Sequence, residues 1–422
     1  MKNMRSLRFL AVFGVLALVV AACGDGGAEF EEGPLGSVTV EAGEAIQIRS
    51  LNAISGEVAF LGIPNERAIR MAVEDYGQIE GHDVEVGTGL DDLCSAEGGQ
   101  QAAQTIVSDE QVVGVIGTSC SGAASGAMPI ISDAGLVMIS ASNTSPSLTS
   151  DREGTAGDNY FEGYYRTAHN DLFQGQAAAN FVFNELGLSQ VALIHDGDPY
   201  TNGLTTAFEN AFEELGGEIV IHTAVTVGQT DMVPVLTEVA AAGPELIFMP
   251  IFPAEATFIV QQAGDVSGLE DVAWMGADGI SVENFMNLPE SEGMYFSGPD
   301  TRFAENTNQA TGLNGDQFLS DYQSEFGEAP SADFWGHAYD ATTMLLDAIA
   351  ETAVVDGDTL FIDRQALRDY LTDVSGYNGL IGEINCDDFG DCGAAVISIF
   401  QHNNLADHQA SKANILYTYP EE

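Results

Sequence analysis

Between residues 45 and 300, short β-rich runs alternate with segments of helical pattern, and this alternation is the strongest constraint on the fold. The β-rich runs include 112–117 ("VVGVIG") and 245–252 ("ELIFMPIF"). Helical segments such as 201–216 and 253–264 end in the glycine that commonly follows a helix. This pattern predicts an α/β fold in which helices cover parallel sheets.

The length of the chain indicates more than one folding unit. A chain of 422 residues exceeds what one hydrophobic core usually organises, so we expect two lobes. Hydrophobic residues make up 45% of the chain and charged residues only 18%, which argues against general disorder. Helical segments follow one another after residue 315, and strand patterns return at 394–400 and 414–419. The late helices are expected to complete a lobe that begins earlier in the chain.

The N-terminus has the pattern of an export leader. Three cations precede an apolar run from Phe9 to Ala22, and Cys23 follows. The run is short for a membrane span, and small residues directly before a cysteine are what a lipoprotein signal peptidase requires. We expect a signal peptide over 1–22, lipidation of Cys23 and a flexible acidic linker over 23–44. An ordinary signal peptide with a chance cysteine, or an N-terminal anchor helix, is the alternative.

The chain is strongly acidic. Its formal net charge is −52, and loss of the leader would make it three units more negative and leave Lys412 as the single lysine. This charge disfavours a nucleic-acid partner and a direct electrostatic hold on anionic lipid, so acyl chains on Cys23 would have to keep the protein at the membrane. The predicted location is the outer face of the cytoplasmic membrane or the periplasm. Salt would screen such a surface, which suggests a saline habitat.

Four cysteines remain once Cys23 is assigned to lipid: Cys94, Cys120, Cys386 and Cys392. An even number in an exported chain suggests two disulfides, because that compartment is oxidising. Metal binding is the alternative, but no CxxC pair and no histidine-rich segment accompanies these cysteines. We therefore predict no metal site.

The sequence lacks the common catalytic motifs. It has no P-loop, GxGxxG, HExxH or GxSxG pattern, and its histidines are scattered singly. A hydrolase built on Ser121, His195 and Asp196 is conceivable, although nothing in the sequence brings the three together. We predict a binding protein with no catalytic residues and no cofactor.

Two strand ends offer polar groups to a ligand. An apolar strand ends at Gly117 and a helix starts near Ser121, so the first turn of that helix presents free N–H groups to an anion. The next strand ends in hydroxyl and amide side chains, those of Ser142, Asn143 and Thr144. Adjacent parallel strands bring such ends to one crevice, where open sheets hold ligands. Helix capping by Ser121 and ordinary turn chemistry are the alternatives.

From about residue 45 to 405 the sequence resembles the leucine/isoleucine/valine-binding protein family, the receptors of ABC importers with the type I periplasmic-binding fold. The motifs that carry the resemblance occur in this order: "AISGEVAFLG", "LDDLCSAEGG", "VIGTSCSG", "GLVMISASNTSPSLT", "ALIHDGDPYTNGL", "PELIFMP", "AWMGADG" and "FWGHAYDA". The resemblance implies an α/β protein of two Rossmann-like lobes joined by a multi-strand hinge. The first lobe would comprise 45–167 and 299–383, and the second 168–298 and 384–422.

The resemblance also implies which polar residues meet a ligand. A ligand carboxylate would contact Ser121 and Thr144 with nearby backbone N–H groups. An α-ammonium would contact the backbone carbonyl of Ser142 and the carboxylate of Asp278. Asp278 stands where many relatives have Glu, so its carboxylate reaches less far. Tyr200 of the second lobe would close over the ligand.

The remaining pocket positions implied by the resemblance are apolar. Phe252 stands where relatives often have a tyrosine, and Leu61, expected in the first loop, replaces a common aromatic residue. Phe334 and Trp335 would add a wall, although aromatic residues that open a helix more often pack in a core. The size of the side-chain pocket is not fixed by these residues.

The resemblance implies a disulfide between Cys94 and Cys120, since the family bonds these two positions. Cys386 and Cys392 flank a turn-forming acidic segment before a strand, which suggests a disulfide that pins a hairpin. A Ca²⁺ loop is the alternative because the segment supplies three aspartates, but the spacing lacks the terminal Glu of an EF-hand.

We expect a lipid-anchored monomer that captures a small zwitterion, such as a neutral or branched-chain amino acid, by hinge closure and delivers it to an ABC permease. A binding protein for short amides, urea or a sugar-like solute is one alternative. A sensory subunit that presents its closed form to a signalling receptor is another.

Overall fold

The computed structural model describes residues 30–303 and 305–420. The described chain forms two lobes, each built on a sheet that helices cover on both faces. The predicted signal peptide 1–22 and the predicted lipidation site Cys23 lie outside the described residues. Among the described helices, none is long and apolar enough to cross a membrane.

The strands are β1 (Ser37–Val40), β2 (Ile46–Asn52), β3 (Val84–Glu85), β4 (Leu90–Asp91), β5 (Val112–Gly117), β6 (Val137–Ser140), β7 (Tyr164–Arg166), β8 (Gln190–His195), β9 (Glu218–Ala224), β10 (Leu246–Phe248), β11 (Ala273–Gly276), β12 (Tyr295–Pro299), β13 (Val354–Asp356), β14 (Thr359–Asp363), β15 (Tyr377–Gly379), β16 (Gly382–Ile384), β17 (Ile397–Gln401) and β18 (Ile415–Tyr419). The α-helices are α1 (Ala59–Tyr76), α2 (Ala96–Val107), α3 (Ser121–Asp133), α4 (Asp171–Asn180), α5 (Pro199–Glu214), α6 (Val233–Ala242), α7 (Pro253–Ala263), α8 (Glu283–Met286), α9 (Gly315–Phe326), α10 (Trp335–Thr352), α11 (Arg364–Thr372) and α12 (His408–Lys412). A π-helical turn, Phe181–Glu185, continues α4, and short 3₁₀ turns occupy Gly56–Val58, Pro146–Leu148, Asp278–Ile280 and Pro289–Ser291.

The sheet of the first lobe is parallel, in the order β3-β2-β5-β6-β7, with β4 also paired to β2. Both faces of this sheet are buried. In β6, Val137 and Ile139 pack into one cluster with α1 and α10, whereas Met138 packs into another with α2 and α3. This two-sided burial explains why the strands of this lobe are continuously apolar and do not alternate with polar residues.

The sheet of the second lobe has the order β18-β17-β12-β11-β10-β8-β9. Strands β8 to β12 are parallel, and β17 is antiparallel to them. The edge strand β18 is antiparallel to β17 and therefore runs in the direction of β8 to β12. Leu246 and Phe248 of β10 pack on one face, and Ile247 packs on the other. The predicted strand 245–252 is shorter than expected, because the chain leaves β10 after Phe248 and turns toward the cleft between the lobes.

The N-terminal part of the described chain corrects the predicted linker 23–44. Residues Ser37–Val40 form β1, which pairs antiparallel with β14, and Val38 and Val40 are buried in the first lobe. The acidic, glycine-rich composition of the segment before β1 led to the prediction of a linker, so this strand was not predicted. Its partner strand, β14, lies more than 300 residues further along the chain, with Asp363 opposite Ser37.

The boundary of the two lobes near the C-terminus also differs from the predicted division at 383/384. Ile384 belongs to β16, which pairs with β15 in the first lobe, and Cys392 lies in the first-lobe core. The N–H of Cys392 donates to the carbonyl of Arg166 in β7. The segment 384–392 therefore packs on the first lobe, and the chain enters the second lobe only as it approaches β17.

Helix α1 begins at Ala59. Pro64 lies inside it, and a proline leaves the carbonyl four residues earlier without its helical partner. The hydroxyl of Ser331 donates to that carbonyl, the one of Phe60, at 2.8 Å. Leu61 consequently lies in the first turn of a helix and not in the predicted loop.

Candidate functional site

A cavity lies between the two lobes at the carboxyl ends of the strands, with an empty volume of about 300 Å³. Six of the eight predicted ligand-binding residues line it together with four others: Leu61, Ser119, Cys120, Ser121, Ser142, Tyr200, Phe252, Asp278, Gly279 and Phe334. The first lobe supplies the serine hydroxyl groups, and the second lobe supplies the acid and the hydroxyl of Tyr200.

The loop between β5 and α3 forms the hydroxyl side of the cavity. Gly117 has φ of 149°, and a Cβ there would lie 1.9 Å from the carbonyl oxygen of Leu51, so only glycine fits this close approach. Ser121 is the first residue of α3, as predicted. Its Oγ accepts from the N–H of Ser145 at 3.3 Å, which leaves the hydroxyl proton free to donate to a ligand.

Asp92 braces this loop. One carboxylate oxygen accepts from the N–H of Cys94 at 2.7 Å, and the other accepts from the N–H of Ser119 at 2.7 Å. Burial raises the pKa of Asp92 to about 6, against the effect of these two N–H groups. The disulfide Cys94–Cys120 joins the same two segments. The disulfide implied by the resemblance is therefore present, and it holds the loop that carries Ser121.

Of the three residues predicted to face a ligand in the loop after β6, only Ser142 lines the cavity. Its hydroxyl donates to the carbonyl of Ser119 at 3.0 Å. Asn143 does not line the cavity: its amide donates to the carbonyl of Thr118, and its Oδ1 accepts from the hydroxyls of Thr118 and Tyr164. The Asn143 side chain thus holds the loop through internal hydrogen bonds, and its predicted contact with a ligand stays a prediction.

Thr144 is also absent from the cavity lining, although its buried hydroxyl has no hydrogen-bond partner among the described residues. The guanidinium of Arg166 holds the backbone on both sides of Thr144 by donating to the carbonyls of Asn143 and Ser145. Arg166 is fully buried and pairs with Asp391. The predicted contact of Thr144 with a ligand carboxylate stays a prediction.

Asp278 forms the acidic side of the cavity, at the start of a 3₁₀ turn after β11. Its Oδ1 accepts from the amide of Gln174 at 2.8 Å and from the hydroxyl of Tyr200 at 3.3 Å. Burial raises the pKa of Asp278 to about 6, against the effect of the Gln174 amide. A cation in the cavity would stabilise the ionised form of this carboxyl.

A second acid, Asp171, lies behind the first in the N-terminal turn of α4. It is fully buried, and neither carboxyl oxygen has a hydrogen-bond partner among the described residues. Burial and the negative charge of Asp278 raise the pKa of Asp171 well above its ordinary value. Asp171 and Gln174 were not among the predicted site residues. Their spacing of three residues at a helix start, directly after a strand, is the signal that could have found them.

Apolar side chains close the remaining sides of the cavity. Leu61 and Phe334 belong to the first lobe, and Phe252 belongs to the second, where its ring lies 5.7 Å from that of Tyr200. Trp335 does not line this cavity. Its ring stacks on Phe318 at 4.7 Å in the first-lobe core, which is the alternative expected for an aromatic residue that opens a helix.

The lobes touch each other around the cavity. The Asp198 carboxylate caps α5 and faces the first turn of α3, where a Cβ on Gly122 would lie 2.2 Å from its Oδ2. On the hinge side, Lys412 of the second lobe pairs with Asp333 of the first, with Nζ at 2.8 and 2.9 Å from the carboxylate oxygens. The structure is thus a closed arrangement of the two lobes.

The other predicted groups have separate roles. Cys386 and Cys392 form the second disulfide, and Asp387 between them accepts from the N–H groups of Phe389 and Asp391 in a tight turn. No cluster of three or more potential metal ligands occurs in the part of the chain that the structure describes. His195 and Asp196 bond to residues of their own loop, and Ser121 bonds to Ser145, so the structure gives the conceived hydrolase no support.

Comparisons with known proteins agree with this architecture. The family model described as "Periplasmic binding protein" matches residues 45–394. A leucine-, isoleucine-, valine-, threonine- and alanine-binding protein of Pseudomonas aeruginosa is 26% identical over 335 residues, which are 78% of this chain and 83% of that protein. A solved leucine-binding protein of Thermotoga maritima aligns with TM-score 0.75 at 23% identity and covers 89% of this chain and 98% of its own. A branched-chain amino acid transporter substrate-binding protein of Streptococcus pneumoniae, solved with isoleucine, aligns with TM-score 0.70 at 23% identity and covers 89% and 99%.

Proposed function

Because the chain belongs to the periplasmic binding protein family, whose members are substrate-binding proteins of transporters and not enzymes, we propose that it captures a small zwitterion for an ABC permease. The favoured ligand class is a neutral amino acid with an apolar side chain. The observation that carries the proposal is the placement of hydroxyl donors and one buried carboxyl on opposite lobes of a single small cavity.

The two charges of such a ligand match the two sides of the cavity. Its carboxylate would accept from the hydroxyl of Ser121 and from N–H groups in the first turn of α3, where the helix dipole also favours an anion. Its ammonium would bond to Asp278. Burying each charge costs several kcal/mol unless it is paired and hydrogen-bonded, so both sides are needed together.

The apolar walls indicate the side chain of the ligand. Leu61, Phe252 and Phe334 offer no charged group, and among the lining residues Asp278 is the only one with a formal charge. A ligand with a charged side chain would leave that charge buried without a partner. Relatives named for leucine, isoleucine and valine support the same class.

Binding at an interface of two lobes favours their closure. A ligand that contacts both lobes binds the closed arrangement more tightly than the open one, and this difference shifts the population. We propose that the closed form is what a membrane permease recognises, and that the protein acts as a monomer held at the membrane by lipid on Cys23. Labelling with a radioactive fatty acid that is lost in Cys23→Ala would test the anchor.

The ligand class is tested by calorimetry with three related compounds: leucine, 4-methylpentanoate without the ammonium group, and leucinamide without the carboxylate. Leucine should bind most tightly. Asp278→Asn should weaken leucine binding about 10- to 100-fold, the range of a lost charged hydrogen bond, and should leave 4-methylpentanoate nearly unchanged. Asp265→Asn, at an exposed site of the second lobe, is the control. If urea or short amides raise the melting temperature while amino acids do not, the proposed ligand class is wrong.

A further inference from the structure

A chain of buried hydrogen bonds runs from the hinge to the ligand-facing acid. The amide nitrogen of Gln174 donates to Asp278 Oδ1 at 2.8 Å, and it also lies 3.1 and 3.2 Å from the hydroxyl and carbonyl oxygens of Ser297. The amide oxygen of Gln174 lies 2.5 Å from Nε2 of His169. His169 belongs to the segment that joins β7 of the first lobe to α4, and all four residues are buried.

The tautomer of His169 and the orientation of the Gln174 amide are linked, because the amide oxygen faces Nε2 while the amide nitrogen faces Asp278 and Ser297. Burial lowers the pKa of His169 to about 4, so the ring is neutral at pH 7 and carries one proton. With that proton on Nε2, His169 donates to the oxygen of the amide, and the NH₂ group must then face Asp278. The opposite amide orientation would place an acceptor against the Asp278 carboxylate, which would favour the protonated carboxyl.

We propose that Gln174 is a positioning residue for ligand selection: it keeps Asp278 ionised and oriented, and thereby sets the preference of the site for ligands that carry an ammonium group. The inference rests on the proposed function, in which Asp278 meets that ammonium. The hydrogen bonds from Gln174 and Tyr200 both go to Oδ1, so neither of these donors occupies the other oxygen.

The other groups around Asp278 make this donor necessary. Asp333 raises the pKa of Asp278 through its negative charge, and the charge of Asp278 in turn raises the pKa of Asp171. Tyr200 is a neutral donor, since its own pKa lies well above the ordinary value because of burial. Gln174 and Tyr200 are therefore the side-chain donors that offset burial and the negative charge of Asp333.

The test compares Gln174→Met with Gln176→Met. Both residues lie on α4, but the amide of Gln176 bonds to Asn180 on the same helix and takes no part in the site. In Gln174→Met the affinity for leucine should fall about 10-fold or more, and the affinity for 4-methylpentanoate should change little, so the ratio of the two affinities falls. Gln176→Met should keep both affinities.

A second variant separates positioning from a general structural defect. Gln174→Glu replaces the donor by an acid that opposes ionisation of Asp278, so the pH below which leucine affinity declines should move upward. Adding Gln174→Met to Asp278→Asn should cause little further loss of leucine affinity, because the two residues act on the same ligand group. An additive further loss, or an unchanged affinity ratio in Gln174→Met, would overturn the inference.

The same variants distinguish this inference from the proposed function. If Asp278→Asn leaves leucine affinity intact, Asp278 does not meet an ammonium and the proposed function fails. If Asp278→Asn lowers the affinity for leucine while Gln174→Met keeps both affinities as Gln176→Met does, the proposed function stands and only the role of Gln174 fails.

Discussion

The two sides of the cavity are built in different ways. On the first-lobe side, the polar groups of Ser119, Ser142 and Asn143 already bond to one another or to their neighbours, and a disulfide and Asp92 brace the loop. On the side of the second lobe and the hinge, Asp171 has two buried oxygens without partners in the described chain, and one ring nitrogen of His169 is in the same state. Buried polar groups are normally hydrogen-bonded. Most polar groups on the first-lobe side are therefore bonded within the protein, with the Thr144 hydroxyl as an exception, whereas the hinge side keeps a buried carboxyl and a ring nitrogen without a partner in the described chain.

Removing the disulfides one at a time should have the largest effect on the two sides of the cavity. Cys94 and Cys120 are separated by 26 residues and Cys386 and Cys392 by 6. In the chain-entropy model these loops correspond to about 3.5 and about 2 kcal/mol of stability. Replacing the first pair by alanine should lower the free energy of unfolding by the larger amount and also weaken leucine binding, because that bond holds the Ser121 loop.

Urea unfolding and calorimetry measure both effects, and the Cys386/Cys392 double variant is the control for binding. Equal loss of affinity in the two double variants would show that the first-lobe loop does not depend on its own disulfide.

The closed contact between the lobes can be broken with a single methyl group. A Cβ on Gly122 would lie 2.2 Å from Oδ2 of Asp198, whose other oxygen is held by the N–H of Tyr200. Gly122→Ala should weaken ligand binding about 10- to 100-fold, the equivalent of about 1–3 kcal/mol of overpacking in the closed form. Alanine favours a helix, so the first lobe itself should be no less stable.

Calorimetry gives the affinity, and small-angle X-ray scattering with ligand gives the degree of closure. Gly264→Ala, where an added Cβ has no neighbour within 4 Å, is the control. Full affinity in Gly122→Ala would mean that this contact is not part of the ligand-bound state.

The acidic side should respond to pH through the ligand-facing carboxyl of Asp278, whereas on the hydroxyl side the group with a similarly raised pKa, Asp92, supports the Ser121 loop and does not line the cavity. The pKa of Asp278 is raised to about 6 by burial, so below pH 6 the carboxyl must lose a proton before it pairs with an ammonium. Leucine affinity should be nearly constant above about pH 7 and should fall up to about tenfold per unit as the pH decreases below 6.

Asp171, Asp333 and Tyr200 act electrostatically with Asp278, and burial raises the pKa of nearby Asp198 to about 7. Calorimetry of Asp278→Asn isolates the contribution of Asp278, because its residual affinity should lack the decline attributed to that carboxyl. A decline of the same size in Asp278→Asn would assign the titration to one of the other acids.

The sequence predicted the first-lobe side better than the other side, for a physical reason. Strand β5, the helix start at Ser121 and the polar loop after β6 are local patterns that need no distant partner. Asn143 was predicted to contact the ligand, and in the structure its side chain bonds to Thr118 and Tyr164, which local sequence does not bring together. Gln174 was missed since its role depends on three separate segments meeting, and β1 was missed since its partner strand lies near the other end of the chain.

The smallest effect is expected at the ion pair that joins the lobes on the hinge side. Lys412 and Asp333 keep 14% and 21% of their side chains exposed, so the pair should contribute up to about 1 kcal/mol to closure, or about fivefold in affinity. Lys412→Met should lose that factor in low salt and less of it in high salt, because salt screens the pair in the parent protein. Arg67→Met removes an ion pair with Glu328 that lies within the first lobe and should leave affinity unchanged at both salt concentrations. Since Asp333 directly precedes Phe334 of the cavity wall, a salt-independent loss in Lys412→Met would instead assign the effect to displacement of that wall.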